Sequence, residues 1–386
     1  MKSSLLVTSS ILSLAAASLG AATGTQSIST VNPFLGHQFF VSPVYRPKVL
    51  KAAASLTARG EFALAKKALK VATEISSFLW VADFAAIPNI ANWLREAELT
   101  ERLTGKKQVV QIEVYNLPDR DCSAKASAGE LDLANGGEEK YKTFIQQVKK
   151  ELLKFPKVRV VLQLETDAIG NLVTNLANPK CGNAASAQKR SLAYAIANLQ
   201  LPNVALYLDG AHGAWLGWDS NVGPTATIIG ELLTAAKAIN PKATIRGIAT
   251  NVSNYNGLGN QPQEGYDELK YIRKLAPLLA AQGIDAHFII DQGRSGNQMA
   301  VRSGGDWCNN KFAGFGPRPT TNTPDPLVDA IVWAKPGGEA DGTSDTSAER
   351  YDEACGSETS FIPAPEAGSW FQEYFEQLLR NANPPL

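Results

Sequence analysis

Short apolar runs recur along the chain, and amphipathic helical patterns lie between several of them. Strands are expected at SFLWVAD (77–83), QVVQIEVY (108–115), VRVVLQLE (158–165), VALYLDG (204–210), TIRGIAT (244–250), AHFIIDQ (286–292) and DAIVWAK (329–335). Helices are expected at Glu138–Lys154, Ala185–Leu199, Thr225–Ile239 and Tyr266–Ala281. Strands that alternate with helices pair in parallel, because each helix carries the chain back to the starting edge. Seven or eight such units predict one closed α/β barrel rather than two domains. No internal repeat, low-complexity linker or composition break divides residues 30–386.

In a parallel barrel the C-terminal strand ends share one rim, where catalytic groups sit. Here those ends carry polar groups almost without exception. Trp80 and Asp83 follow the first strand, and Tyr115, Asp119 and Asp121 the second. Glu165 and Asp167 follow the third, Asp209 and His212 the fourth, Asn251 and Asn254 the fifth. Asp291, Gln292 and Arg294 follow the sixth, and Lys335, Glu339 and Asp341 the last. In VRVVLQLETDAIGN (158–171) the two-residue period of a strand predicts Glu165 and Asp167 on one face. By itself Asp167 reads as a cap for the following helix. Acids after most strands of one barrel read instead as a site.

Lys+Arg and Asp+Glu both number 37 in 386 residues, so no charge excess points to nucleic acid or to an acidic interaction tail. The start, MKSSLLVTSSILSLAAASLGAATG, has one positive residue, an apolar run and small residues, the build of a signal peptide over 1–22. No later run is apolar enough to span a bilayer. A secreted, extracellular monomer is therefore expected, with residues 23–386 as one catalytic domain. In an oxidising compartment Cys122, Cys181, Cys308 and Cys355 predict two disulfides, and their order leaves three connectivities open. Neither these cysteines nor His37, His212 and His287 show metal-ligand spacing, so no metal is expected. No G-x-S-x-G elbow and no phosphate-cradling glycine loop appears. Trp215 and Trp218 in HGAWLGW and Trp307 in GGDWCNN lie among Asp, Asn, Lys and Arg, which suggests a sugar cleft: rings cover the apolar faces of pyranoses and polar groups bind the hydroxyls.

Seven segments, YNLPDRDCSAKAS, LETDAIGNLVTNLANPKC, LYLDGAHGAWLGW, GIATNVSNYNG, IIDQGRSG, GDWCN and VWAKPGGEADGTSD, resemble glycoside hydrolase family 6, especially its fungal cellobiohydrolases. The match runs in order from about Asn32 to the C-terminus. It implies a distorted TIM-like barrel of seven parallel strands, with loops roofing the active site, that cleaves β-1,4-glucan with inversion. It implies the bridges Cys122–Cys181 and Cys308–Cys355, and no cofactor. Carried over residue by residue, Asp167 takes the general-acid position and Asp121 that of the carboxylate that keeps the acid protonated. Tyr115 is placed to help distort the sugar ring, Ser127 to hold the water, and Asp341 to act as base or charge partner. Lys335, Glu339, His212 and Asn251 are expected to bind sugar, with Trp80, Trp215, Trp218 and Trp307 as platforms.

The sequence departs from the family where E-P-D reads Glu165-Thr166-Asp167 and Tyr-Asp-Leu-Pro reads Tyr115-Asn116-Leu117-Pro118. The cellulose-binding module of typical fungal relatives is not expected, because the signal peptide leads almost directly into the catalytic domain. Inversion needs a protonated acid and a base for water on the opposite face. A free Asp titrates near ~3.9, so Asp167 must be raised, and Asp121 is the expected cause. A water chain from Ser127 to Asp121 or to Asp341 leaves the base open. The expected substrate is cellulose or cello-oligosaccharide, cut mainly to cellobiose from non-reducing ends. An endo-acting glucanase and a non-catalytic sugar-binding protein are the alternatives. Asp121, Asp167 and Asp341 together weigh against the last.

Overall fold

The computed structural model describes residues 30–259, 261, 264–297 and 307–386. The expected signal peptide lies outside the described residues. Among the described residues eight strands form one sheet: β1 (Gln38–Phe39), β2 (Leu79–Val81), β3 (Gln108–Val114), β4 (Arg159–Leu164), β5 (Val204–Asp209), β6 (Gly247–Thr250), β7 (His287–Asp291) and β8 (Val328–Val332). Every neighbouring pair is parallel, and β3 to β8 follow one another in chain order. The β3 edge away from β4 is shared: β1 pairs with its start at Gln108 and Val109, and β2 with its end at Ile112 to Val114. The seven expected strands are thus β2 to β8, and β1 is an addition too short to carry a periodic signal.

The sheet curls but its ladder does not close. Among the described residues, no ladder joins β8 to β2; beside their ends the Phe78 amide donates to the Trp333 carbonyl (3.1 Å) and the Trp80 indole to Ala334 (2.9 Å). The closed barrel expected from strand count is therefore corrected to a curled one. Alternate residues face the two sides of the curl: Val110, Ile112, Val114, Val160, Leu162 and Leu164 pack outward against the helices, whereas Val109, Val161, Ala205, Ala249 and Ile289 fill the inside. Helices Gly137–Leu153, Pro179–Asn198, Asp219–Ile239 and Glu268–Ala281, close to the four expected, cover the sheet together with Asn89–Thr104, which was not expected. The second begins earlier than expected because Asn178 caps it and Pro179 occupies its first turn. Helices Tyr45–Ala58, Phe62–Glu74 and Gln372–Arg380, which the sequence reading did not place, form a second apolar cluster with Phe315 and Trp333 beside the open seam.

Disulfides join Cys122 to Cys181 and Cys308 to Cys355, which selects the connectivity that the family resemblance implies. Each closes a long loop, worth about 4 kcal/mol in the chain-entropy model. Both tie down segments that follow C-terminal strand ends.

Candidate active site

The strand-end loops are bent by backbone that side chains rarely adopt. Asp119, Asp121, Glu165, Asp167, Ala211, Asn251 and Ser253 all have left-handed φ, between 49° and 67°, and all lie just past β3, β4, β5 or β6. Such conformations persist only where surrounding bonds enforce them. For Glu165 the enforcement is visible: its buried carboxyl accepts from Tyr141 Oη (2.7 Å) and from the amides of Asn116 (3.0 Å) and Leu117 (2.9 Å). It therefore clamps the end of β4 to the end of β3. Burial pushes its pKa up to about 7.

The expectation that Glu165 and Asp167 share a face is corrected. β4 ends at Leu164, so the two-residue period stops before either acid, and Glu165 turns inward while Asp167 lines a cleft. The capping role is also absent: the helix Ala168–Thr174 receives no side-chain bond from Asp167. Among the described residues no hydrogen bond reaches the Asp167 carboxyl. Its backbone amide donates to Asp209 Oδ2 (2.8 Å), which also accepts from the Ala211 amide (3.0 Å).

The cleft holds ≈ 620 Å³ at the C-terminal rim, the size range of a ligand site. Tyr115, Asp121, Ser127, Asp167, Lys335 and Asp341 line it, with Trp80, His212, Trp215, Trp218 and Trp307. Two residues expected to bind sugar are not part of its wall. Asn251 is fully buried, and its amide donates to the carbonyls of Asn256 (3.0 Å) and Asp291 (2.6 Å), so its role is corrected to holding the loops after β6 and β7. Glu339 pairs with Lys48 at 2.7 Å.

The acids differ sharply in charge state. Burial raises Asp167 well above the usual Asp range, and the negative charges of Asp209, Asp121 and Asp341 add to this in that order. Asp121 thus contributes, but Asp209, to which the sequence reading gave no role, stands before it. Asp209 is itself pushed up to about 7 by burial. Asp121 is raised by burial and by Asp352, against the Ser127 amide that donates to it at 2.7 Å. Burial alone would raise Asp341 too. Arg294 at 2.6 Å and Lys335 at 3.5 Å overcome it and hold that carboxyl below its ordinary value. The Asn309 amide (2.8 Å) and Tyr255 Oη (3.2 Å) also donate to Asp341. One carboxyl is kept neutral without a partner, and another is kept ionised in a cage of donors.

The aromatic groups are fixed by their polar edges. The Trp215 indole donates to Thr174 Oγ1 (2.7 Å), and a methyl at Gly170 would come within 2.8 Å of that ring. Trp80 packs edge-on against Tyr115 (5.5 Å), and the Arg120 guanidinium stacks over Tyr115 at 4.2 Å. His212 has its pKa lowered to about 4 by burial and is a neutral ring. Trp307 packs with Ala126 on the Cys308–Cys355 bridge, and the Lys125 amide donates to Asp352 Oδ2 (3.1 Å). The two disulfide-tethered loops therefore touch each other at the cleft. Among the described residues no group of three or more His, Cys, Asp or Glu is arranged to hold a metal ion.

A carboxyl raised by burial and another held low by cations, in an indole-lined cleft at the rim of a curled parallel sheet, fit the chemistry of a glycoside hydrolase. The chain belongs to glycosyl hydrolases family 6, whose sequence model matches residues 34–382. It is 47% identical over 362 residues to exoglucanase 3 of Agaricus bisporus, covering 92% of this chain and 80% of that protein. Among solved structures it is similar to CcCel6C of Coprinopsis cinerea (45% identity, TM-score 0.89, 92% of this chain and 99% of that one). It is likewise similar to cellobiohydrolase II of Humicola insolens in complex with glucose and cellotetraose (45% identity, TM-score 0.87, 92% and 100%).

Proposed function

We propose that this protein is a secreted cellulase that hydrolyses β-1,4-glucosidic bonds with inversion and releases mainly cellobiose from non-reducing chain ends. The observation that carries the reading is the contrast between Asp167, neutral and free of protein hydrogen bonds in the cleft, and Asp341, ionised beside Arg294. Asp167 protonates the departing glycosidic oxygen. Water held near Ser127 attacks the opposite face and passes its proton towards Asp121 or Asp341. The indoles of Trp80, Trp215, Trp218 and Trp307 stack on successive glucosyl rings, with Lys335 and His212 at the hydroxyls. Support for cellulose comes from the relatives' names and from the cellotetraose complex of the Humicola insolens enzyme. Support for exo action comes from the contact between the two loops, which narrows the cleft from above.

The test is cellotetraose turnover followed by proton NMR. The α-anomer should appear first, and β-anomer first would show retention. Asp167→Asn should lose at least about 10²–10⁴-fold in kcat while cellotetraose still binds. Turnover near that of the unaltered enzyme would remove Asp167 from the acid role.

A further inference from the structure

Next to the acid in sequence, Thr166 reaches down to buried polar groups on the inside of the curled sheet. Glu113 on β3 and Gln163 on β4 are register partners, and both are fully buried. Gln163 Nε2 donates to Thr166 Oγ1 (3.1 Å), and Thr166 Oγ1 donates to Glu113 Oε1 (2.8 Å). The Thr166 amide points at the same Glu113 oxygen (3.3 Å). Two buried acceptors, Glu113 Oε2 and Gln163 Oε1, are left with no hydrogen-bond partner. They belong to the two residues paired across the ladder.

We propose that Glu113 and Gln163 are positioning residues for the acid, gripping Thr166 in a closed hydrogen-bond ring and so fixing the direction of Asp167. A proton on Glu113 Oε2, donated to Gln163 Oε1, closes the ring and satisfies both orphaned oxygens. Leaving them bare would be costly in a buried place. The groups that face Glu113 agree with that proton: burial raises its carboxyl first, and the negative charges of Asp209 and Glu165 raise it further, against the Thr166 bonds. Tyr141 is the other titratable side chain in this group. Thr166 stands between two residues of left-handed φ, where a small rotation would swing the Asp167 carboxyl away from the scissile oxygen. A proline at this position, as in the family's usual motif, has neither the N–H nor the hydroxyl that Glu113 accepts.

The inference rests on Asp167 as the acid, and the experiment separates the two. Glu113→Gln, Glu113→Val, Gln163→Leu and Asp167→Asn are compared on cellotetraose, with melting temperature checking the fold. Glu113→Gln keeps an acceptor for Thr166 and a donor for Gln163, so its kcat and pH profile should stay within about twofold of the unaltered enzyme. Glu113→Val should lose about 10–100-fold in kcat with little change in KM, the signature of a misplaced group. Gln163→Leu should fall in the same way, and it carries the test if Glu113→Val does not fold. Unaltered kcat in the valine or leucine variant overturns the proposal. So does a loss in Glu113→Gln as deep as that in Glu113→Val, which would make charge rather than the ring the cause. Activity in Asp167→Asn would instead fail the acid assignment itself.

Discussion

Asp209 shows what residue-level reading can miss. It was visible as a strand-end acid, but its influence on Asp167 depends on where two loops bring the carboxyls, and spacing does not encode that. Removing either neighbouring charge should lower the Asp167 pKa, because a like charge disfavours ionisation. The rate needs Asp167 protonated, so the basic limb of the kcat profile should move to lower pH in Asp121→Asn and further in Asp209→Asn. A basic limb that stays in place in both variants would mean that burial alone sets the acid. Glu165 teaches the converse. Its pairing with Asp167 in the sequence is real, but strand phase predicts side-chain direction only while the strand lasts, and β4 stops at Leu164, three residues before Asp167. Asn251 stands in an N-x-S sequon, Asn251-Val252-Ser253, yet its amide is fully committed inside the fold. Intact-protein mass spectrometry should find no glycan there, and a glycan would place this segment outside.

At the scale of elements, β2 to β8 were all legible as short, mostly apolar runs, because burial on both faces favours them. The helices Tyr45–Ala58, Phe62–Glu74 and Gln372–Arg380 were not placed, although the last is strongly amphipathic; they pack on one another and on Phe315 and Trp333 in a cluster apart from the main core. The loops were legible as two cysteine-bounded spans but not as touching ones. Their contact is thin: one amide-to-carboxylate bond from Lys125 to Asp352, and Ala126 against the second disulfide. Asp352 also caps the short turn before Cys355 by accepting from the Ala354 amide (3.0 Å). Asp352→Ala should free both ends of that contact and let the roof open, since loops held by few contacts open locally at small cost. Activity on carboxymethyl cellulose should rise a few-fold relative to release of cellobiose from amorphous cellulose. A constant ratio between the two would show that the roof does not depend on this bond.

For the whole molecule, the cluster of buried acids sets a pH dependence of stability opposite to that of many proteins. Glu165, Asp209 and Glu268 are all pushed up to about 7 by burial. In the unfolded chain such carboxyls titrate near ~4. Between these values the folded state holds protons that the unfolded state has released, so the slope of unfolding free energy with pH is negative. This stabilisation is complete below ~4 and is lost as pH rises through about 7. Each proton contributes up to about 1.4 kcal/mol per pH unit across the window. Histidine acts the other way: His212, lowered to about 4, stays neutral in the fold while the unfolded ring takes up a proton below ~6.5. His37 is lowered in the same way, so two rings stand against these three carboxyls, which the raised Glu113 and Asp167 join, and the carboxyls prevail. The melting temperature should therefore be highest near pH 4.5–5 and decline steadily to pH 7, then level off. Calorimetry at constant ionic strength measures this directly. A melting temperature that climbs from pH 5 to pH 7 would mean that the buried acids are ionised in the folded protein, and the neutral form of Asp167 beside them would lose its physical basis.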